Sequence, residues 1–174
     1  MNVSLRKFCE QDIPLKVRWI NDPETNRYLH YDLPLQVEST LAWFLHIRDE
    51  STRMDMTILC DDAPVGIIGL LQINFKKKSA ELYVTLGEKQ LRGKGVAALA
   101  MEQLLRIAFT HLGLHRVYLF TETENAAAVH AYEKFGFVKE GCLRDETITR
   151  FSNFANRYIY SILKSEFEAR YGLS

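Results

Sequence analysis

The chain has 174 residues, 47% of them hydrophobic, with 22 Lys plus Arg balanced by 22 Asp plus Glu. That is the size of one ordinary domain with ample material for a core, and it excludes a disordered chain. A formal net charge of zero removes any general electrostatic pull toward nucleic acid or an acidic membrane, so neither is expected as a partner.

Cys9, Cys60 and Cys142 are far apart, odd in number and form no C-x-x-C pair, which argues against a disulfide framework or a zinc knuckle. They are expected to be small buried apolar groups in a reducing compartment. The start, Met1 to Lys7, lacks the apolar core of a signal peptide. No run approaches the roughly 18 apolar residues of a membrane span. A soluble cytoplasmic protein is the expectation.

Val3 to Phe8 alternates and reads as a first strand. Asp12 is the expected cap of a helix with Ile13, Val17 and Ile20 on its apolar face and Pro14 in its first turn. Asn21-Asp22-Pro23 ends it. A short helical piece runs from Glu24 to about Leu29, followed by an irregular loop from Tyr31 to Leu35. Glu38 to about Arg48 is helical, with Leu41, Phe44, Leu45 and Ile47 apolar. Met54 to Cys60, Val65 to Phe75 and Ser79 to Leu86 form a three-strand meander, turning at Asp61-Asp62-Ala63-Pro64 and at Lys76-Lys77-Lys78.

A long helix is expected from Val96 to about His111, with Ala97, Met101, Leu104, Leu105, Ala108 and Leu112 on one face and Gly113 as its cap. Arg116 to Thr121 is a strand. Asn125 to about Phe135 is a helix stopped by Gly136, and another strand begins at Phe137. A loop at Arg150 to Asn153 leads to a last strand, Tyr158 to Leu163, and a tail helix, Glu166 to Tyr171. There is no repeat and no linker, so residues 1–174 read as a single domain. Its class is α/β or α+β, a mixed sheet of about seven strands with helices on both faces. The two strand–helix–strand crossings of the second half should be right-handed.

The chemistry-bearing stretch is Gln90-Leu91-Arg92-Gly93-Lys94-Gly95-Val96-Ala97, where a strand feeds a glycine turn that opens a helix. The first N–H groups of a helix have no internal partner and suit an anion, phosphate above all. Gly93 and Gly95 let the backbone approach a ligand without a Cβ in the way. A P-loop is excluded: Gly87 to Gly93 is one residue too long and position 95 offers no hydroxyl for magnesium. A dinucleotide fingerprint is formally met by Gly93, Gly95 and Ala98, but the region about 20 residues on has no carboxylate. A third pattern, Q/R-x-x-G-x-G/A, is met by Gln90, Gly93 and Gly95. A plain glycine turn before an ordinary helix is the remaining alternative.

A second motif, Asn125 to Phe137, bears on that choice. Asn125 is a natural N-cap, and Asn125, Ala128, Val129 and Tyr132 lie along about two turns of one face. Small residues at 126–128 let something lie close against the helix. Together the two motifs resemble the pyrophosphate loop and the N-x-x-A-x-x-x-Y-x-x-x-G-F motif of the GNAT superfamily of N-acetyltransferases. The resemblance covers nearly the whole chain and implies a GNAT-like, mostly antiparallel seven-stranded sheet. It is strongest to the branch with ribosomal-protein N-terminal, spermidine and nucleotide-amino-sugar acetyltransferases, through segments 18–24, 87–95 and 141–146. The segment Lys78 to Leu82 looks like the spermidine enzymes.

The resemblance implies acetyl-CoA as cosubstrate and a primary amine as acceptor, with no metal. It assigns the cofactor to Val84, Thr85, Leu86, Gln90, Leu91, Arg92, Gly93, Lys94, Gly95, Val96, Ala97, Asn125, Ala128 and Tyr132. The N–H groups from Leu91 to Ala97 would hold the pyrophosphate, and an N–H near Val84 to Leu86 would polarise the thioester carbonyl. Tyr132 takes the general-acid role toward the leaving thiolate, and the base is Glu81 or a water chain, with a solvated or substrate-binding carboxylate as the alternative reading of Glu81. The acceptor would meet Tyr28, Tyr31, Glu81 and Arg150, in regions Asn26 to Leu35 and Arg144 to Ala155. Carboxylates there suit a polyamine, while arginines and aromatics suit a nucleotide-linked amino sugar. A small-molecule primary amine is the expected acceptor and a ribosomal-protein N-terminus the alternative, while a non-catalytic acyl-CoA sensor is the rival class. A homodimer or larger homo-oligomer stays open.

Overall fold

The computed structural model describes residues 1–172. Its seven strands are β1 (Val3–Lys7), β2 (Met54–Cys60), β3 (Ala63–Asn74), β4 (Ser79–Leu86), β5 (Arg116–Glu122), β6 (Val138–Ile148) and β7 (Phe154–Leu163). They form one sheet in the order β1-β2-β3-β4-β5-β7-β6, antiparallel throughout except for β4 beside β5. The helices are α1 (Ile13–Asn21), α2 (Val37–Ile47), α3 (Val96–Arg106), α4 (Ala126–Phe135) and α5 (Lys164–Tyr171). None of them is long and apolar enough to cross a membrane.

Strand alternation builds two cores, one on each face of the sheet. Ala80 and Leu82 of β4 and Val117 and Leu119 of β5 join Ala100, Met101, Leu104 and Leu105 of α3, Phe135 of α4 and Phe167 of α5. On the other face Ile67 of β3 packs with Ile13, Trp19 and Ile20 of α1, and Leu41, Trp43 and Phe44 of α2 lie against them. The mixed sheet with helices on both faces is therefore as the periodicity implied.

Some local expectations are corrected. Asp12 does not cap α1 through its side chain. Its carboxylate accepts two bonds from the Arg6 guanidinium at 2.6 Å, one from the Thr57 hydroxyl at 2.7 Å and one from the Cys9 N–H at 3.0 Å. Those bonds hold the carboxyl below its ordinary range against the opposing effect of burial. The long helix leaves α geometry at Arg106 and ends in one π turn, Ile107–His111. The last strand begins at Phe154, because pairing with β6 continues to Ile148 and leaves a short turn around Arg150 to Asn153. Cys60 is buried as expected, Cys9 only partly, and Cys142 is exposed because it lies on the outer strand β6.

Gly87 closes β4 at a point where no side chain fits. A Cβ there would lie 2.2 Å from the Trp19 ring. That indole is fixed by its N–H bond of 2.8 Å to Glu88. Gly87→Ala is expected to cost about 1–3 kcal/mol of stability, the usual range for forcing an atom into a packed site. Urea unfolding checks it, and an unchanged midpoint would show that Trp19 moves aside freely.

Candidate active site

The site is set by where β4 and β5 stop being neighbours. They pair only at Ser79↔Arg116, Ala80↔Val117 and Glu81↔Tyr118, although β4 continues to Leu86 and β5 to Glu122. Beyond Glu81 the two strands splay and leave a gap. The Gly87 N–H donates to Val65 O, and the β3–β4 register runs unbroken from Gly66↔Leu86 to Leu71↔Glu81. Antiparallel alternation then turns the N–H groups of Glu81, Tyr83 and Thr85 toward β3 and those of Leu82, Val84 and Leu86 into the gap. Of the three residues expected to supply a carbonyl donor, Val84 and Leu86 present N–H groups there. Thr85 does not, because its N–H belongs to the β3 ladder.

The gap opens into a cleft of about 610 Å³. Its lining includes Glu81, Val84, Thr85, Leu86, Arg92, Gly93, Ala97, Asn125, Ala128 and Tyr132, with Tyr28 and Tyr31 across from them. The sequence-derived residues that do not line it are Gln90, Leu91, Lys94, Gly95, Val96 and Arg150. Gln90 turns its amide to Glu88 at 3.2 Å, Leu91 packs on the α3 core, and Val96 is buried. Lys94 is exposed. Arg150 donates to Asn26 Oδ1 at 2.7 Å and Pro23 O at 3.2 Å, tying the last hairpin to the segment before Tyr28.

The glycine turn has the conformation its residues suggested. Gly93 and Gly95 have φ of +73° and +84°, and a Cβ on either would meet no protein atom within 4 Å. Both glycines therefore serve backbone shape and open space rather than packing. Not all of the turn's N–H groups are free. Those of Leu91, Arg92 and Lys94 are engaged by Glu88, Lys89 and Leu91 carbonyls. The first helical bond of α3 is Leu99 N–H to Gly95 O. Among the described residues this leaves Gly93, Gly95, Val96, Ala97 and Ala98 as donors, so within the expected stretch Leu91 to Ala97 three of the seven N–H groups are spent. Arg92 clamps the turn by donating to Glu24 and Thr25, both at 2.8 Å. The residues fit a pyrophosphate: a helix N-terminus, two positive-φ glycines and unfilled space beside them.

Asn125 caps α4 by accepting the Ala128 N–H at 3.3 Å. The next turns present Ala127, Ala128 and Ala131 to the cleft, ending at Tyr132. The Tyr132 ring packs edge-on against Phe137 and tilted against Tyr160, with centroids 5.9 and 6.3 Å away. Burial pushes its phenol up to about 12, so it holds its proton at neutral pH. Tyr132 stands with the α3 core, on one face of the sheet.

The opposite face carries the carboxylates. Alternation puts Glu81 of β4 and Tyr118, Phe120 and Glu122 of β5 on that side, away from Leu82, Val117 and Leu119. Burial raises the Glu81 carboxyl, the Glu146 charge adds to the rise, and Arg157 opposes it. Arg157 stacks over Phe120 at 4.7 Å and forms a two-pronged pair with Glu146. The Tyr28 hydroxyl donates to Glu124 O at 3.2 Å. Burial raises the Tyr31 phenol. The sequence reading missed Glu122 and Arg157, which line the cleft, as does His30 of the expected acceptor region. The usable signal was a glutamate on the even positions of β5, just before the capping Asn125.

The two faces meet at the splayed gap beyond Glu81. A ligand lying along α3 and α4 and a second ligand resting on Glu81 would touch each other there, between Val84 and Tyr132. That is the arrangement required for transfer of a group from one to the other.

A family model described as an acetyltransferase (GNAT) domain matches residues 2–138. The chain is 31% identical to the spermidine N(1)-acetyltransferase of Escherichia coli (strain K12) over 147 residues, 83% of this chain and 77% of that one. Among solved structures it is similar to the spermidine N-acetyltransferase of Vibrio cholerae in complex with CoA and spermine. There the TM-score is 0.87 and the identity 25%, over 95% of this chain and 97% of that one. Another structure of that enzyme, described as dodecameric, matches with a TM-score of 0.83 and 25% identity over 97% and 98% of the two chains.

Proposed function

This chain belongs to the GNAT acetyltransferase family and is an acetyl-CoA-dependent N-acetyltransferase, and from that premise we propose that its acceptor is a small-molecule primary amine of the polyamine class. The observation that carries this is the charge pairing in the cleft. Arg53, Arg92 and Arg157 are each engaged by a carboxylate, those of Asp55, Glu24 and Glu146. Among the described residues Arg27 alone of the lining arginines has no such partner; it lies 5.3 Å from the Tyr28 ring. Among the described residues Glu81, by contrast, has no cationic partner, and Glu122 faces only the His30 imidazole, 3.3 Å away and out of hydrogen-bond alignment. A nucleotide-linked sugar would need free guanidinium groups for its phosphates, whereas a polyammonium needs free carboxylates.

Bound acetyl-CoA supplies a thioester already activated toward amines. In the proposed mechanism the N–H groups of Gly93, Gly95, Val96 and Ala97 hold its pyrophosphate. The Val84 N–H donates to the acyl oxygen, where such a donor is worth about 3–4 kcal/mol of barrier. Tyr132 provides the proton for the leaving sulfur. Its phenol at about 12 gives up that proton only as another replaces it, so its delivery is coupled to loss of the amine's second proton, shed as the C–N bond forms and the C–S bond breaks. Glu81, on the acceptor side, receives the ammonium proton. Residues 1–174 act as a single domain, with the cytoplasm as compartment and a homo-oligomer as assembly. The relative described as dodecameric supports the last point.

Glu81→Gln tests the base. The raised carboxyl of Glu81 must ionise to act, so activity should fall as pH drops through a value above the ordinary carboxylate range. The substitution is expected to remove that acid limb and lower kcat/KM by about a hundredfold. An unaltered pH profile would assign Glu81 to structure. The acceptor itself is tested by thiol release with spermidine, a UDP-linked 4-amino sugar and a ribosomal N-terminal peptide side by side. Spermidine is expected to be preferred, and turnover of another acceptor alone would overturn the proposal.

A further inference from the structure

Glu122 is the buried group of the cleft that acetyl transfer leaves without a task. It ends β5 with 5% of its surface exposed, and its Oε1 has no hydrogen-bond partner among the described residues. His30 Nε2 lies 3.3 Å away but out of hydrogen-bond alignment, while His30 Nδ1 faces the Thr147 hydroxyl at 3.3 Å. Across the β5–β7 ladder from Glu122 stands Arg157, whose guanidinium is held by Glu146. A buried carboxylate without a partner destabilises the fold that contains it. A cationic ligand would complete it.

Glu122 also belongs to two cavities. Besides the main cleft it lines a second one, of about 300 Å³, next to the β6–β7 hairpin. Glu124 and Asp145 line that cavity with it, Phe151 and Phe154 add largely exposed rings, and no lysine or arginine takes part. Asp145 sits at an irregularity of β6 between Leu143 and Thr147, with φ of +50° and its N–H held by Asn156 Oδ1 at 2.8 Å. Among the described residues no three His, Cys, Asp or Glu side chains converge tightly enough to hold a metal ion. Spread carboxylates with aromatic surface between them suit a ligand whose positive charges are themselves spread along a carbon chain.

The spacing agrees. Glu81 is in register with Tyr118, and Glu122 lies four residues further along the same strand. At about 3.3 Å per residue that is roughly 13 Å, the reach of an extended polyamine and beyond that of a short diamine. Resting on the polyamine assignment above, we infer that Glu122 holds a distal ammonium of the acceptor while its reacting amine lies at Glu81, and that the cavity with Glu124 and Asp145 receives the chain beyond it. Glu122 is then a specificity residue of the acceptor site, acting on which amine binds and not on the transfer step.

The test compares wild type with Glu122→Gln, at saturating acetyl-CoA, using spermidine, spermine and hexylamine. The substitution is expected to raise KM for spermidine and spermine by about tenfold or more, the scale of one charge-assisted bond. Both kcat and the parameters for hexylamine should stay within about twofold. Its melting temperature without ligand is expected to hold or rise, because an unpartnered buried charge has been removed; a merely structural Glu122 predicts a fall. Asp145→Asn should raise KM for spermine more than for spermidine. Calorimetry of spermidine binding to both proteins separates the two levels of the account. Polyamine turnover with a KM indifferent to Glu122 would overturn the anchor and leave the acceptor assignment standing. Binding lost in Glu122→Gln, alongside no polyamine turnover by wild type, would uphold the anchor and overturn the assignment.

Discussion

Tyr132→Phe is expected to lower kcat by about 10²–10³-fold, within the range for losing a general acid, while changing acetyl-CoA affinity by less than about twofold. The separation of the two effects follows from the surroundings of the side chain. Its ring is held by Phe137 and Tyr160, contacts that phenylalanine keeps. Its hydroxyl has no protein hydrogen-bond partner among the described residues and belongs to the cleft lining. Removing that oxygen leaves no protein group unsatisfied, so the melting temperature should stay unchanged. The phenol at about 12 also keeps resting Tyr132 protonated and neutral across the working pH range. Single-turnover kinetics with calorimetry checks both numbers. Wild-type turnover in the variant would remove Tyr132 from the chemistry and leave its ring as a packing element.

Gly93→Val is expected to weaken acetyl-CoA binding by at least about tenfold. Two effects combine: a β-branched residue at φ of +73° is strained by about 1–3 kcal/mol, and its side chain enters the space where the pyrophosphate would approach. Neither is a clash within the protein, since a Cβ at Gly93 meets nothing within 4 Å. The chain contains its own control. Gly113, beyond α3, has φ of +64° and equally open surroundings but does not line the cleft. Gly113→Val should lose similar stability and no acetyl-CoA affinity. Equal affinity losses in the two variants would mean that the turn at Gly93 acts through folding alone.

Elements governed by local chemistry were legible in the sequence. The bounds of β2 and β4 follow alternation between strong turn signals, and the N-cap at Asn125 follows from side-chain geometry one turn long. The glycine turn and the Tyr132 face were legible for the same reason. Features set by distant partners were not. Asp12 has the sequence signature of a cap, yet Arg6 and Thr57 draw its carboxylate toward the sheet. The extra residues of β7 exist because β6 pairs with them. The turn N–H groups of Leu91, Arg92 and Lys94 close on local carbonyls, which residue types alone do not fix. The splay of β4 from β5 has no signature in either strand, and so Glu122 could be placed on a strand but not in a cleft. Arg150 looked like a substrate contact because arginine suits phosphate, and its bonds to Asn26 and Pro23 were long-range.

In the proposed function the gap between β4 and β5 joins acetyl-CoA to a polyamine. The most direct measurement is mass analysis of spermidine after incubation with wild-type protein and acetyl-CoA, with free thiol counted in the same sample. One acetyl group gained by spermidine for each thiol released is the result this account predicts. Thiol released without acetylated amine, or neither product formed while acetyl-CoA binds, would contradict it.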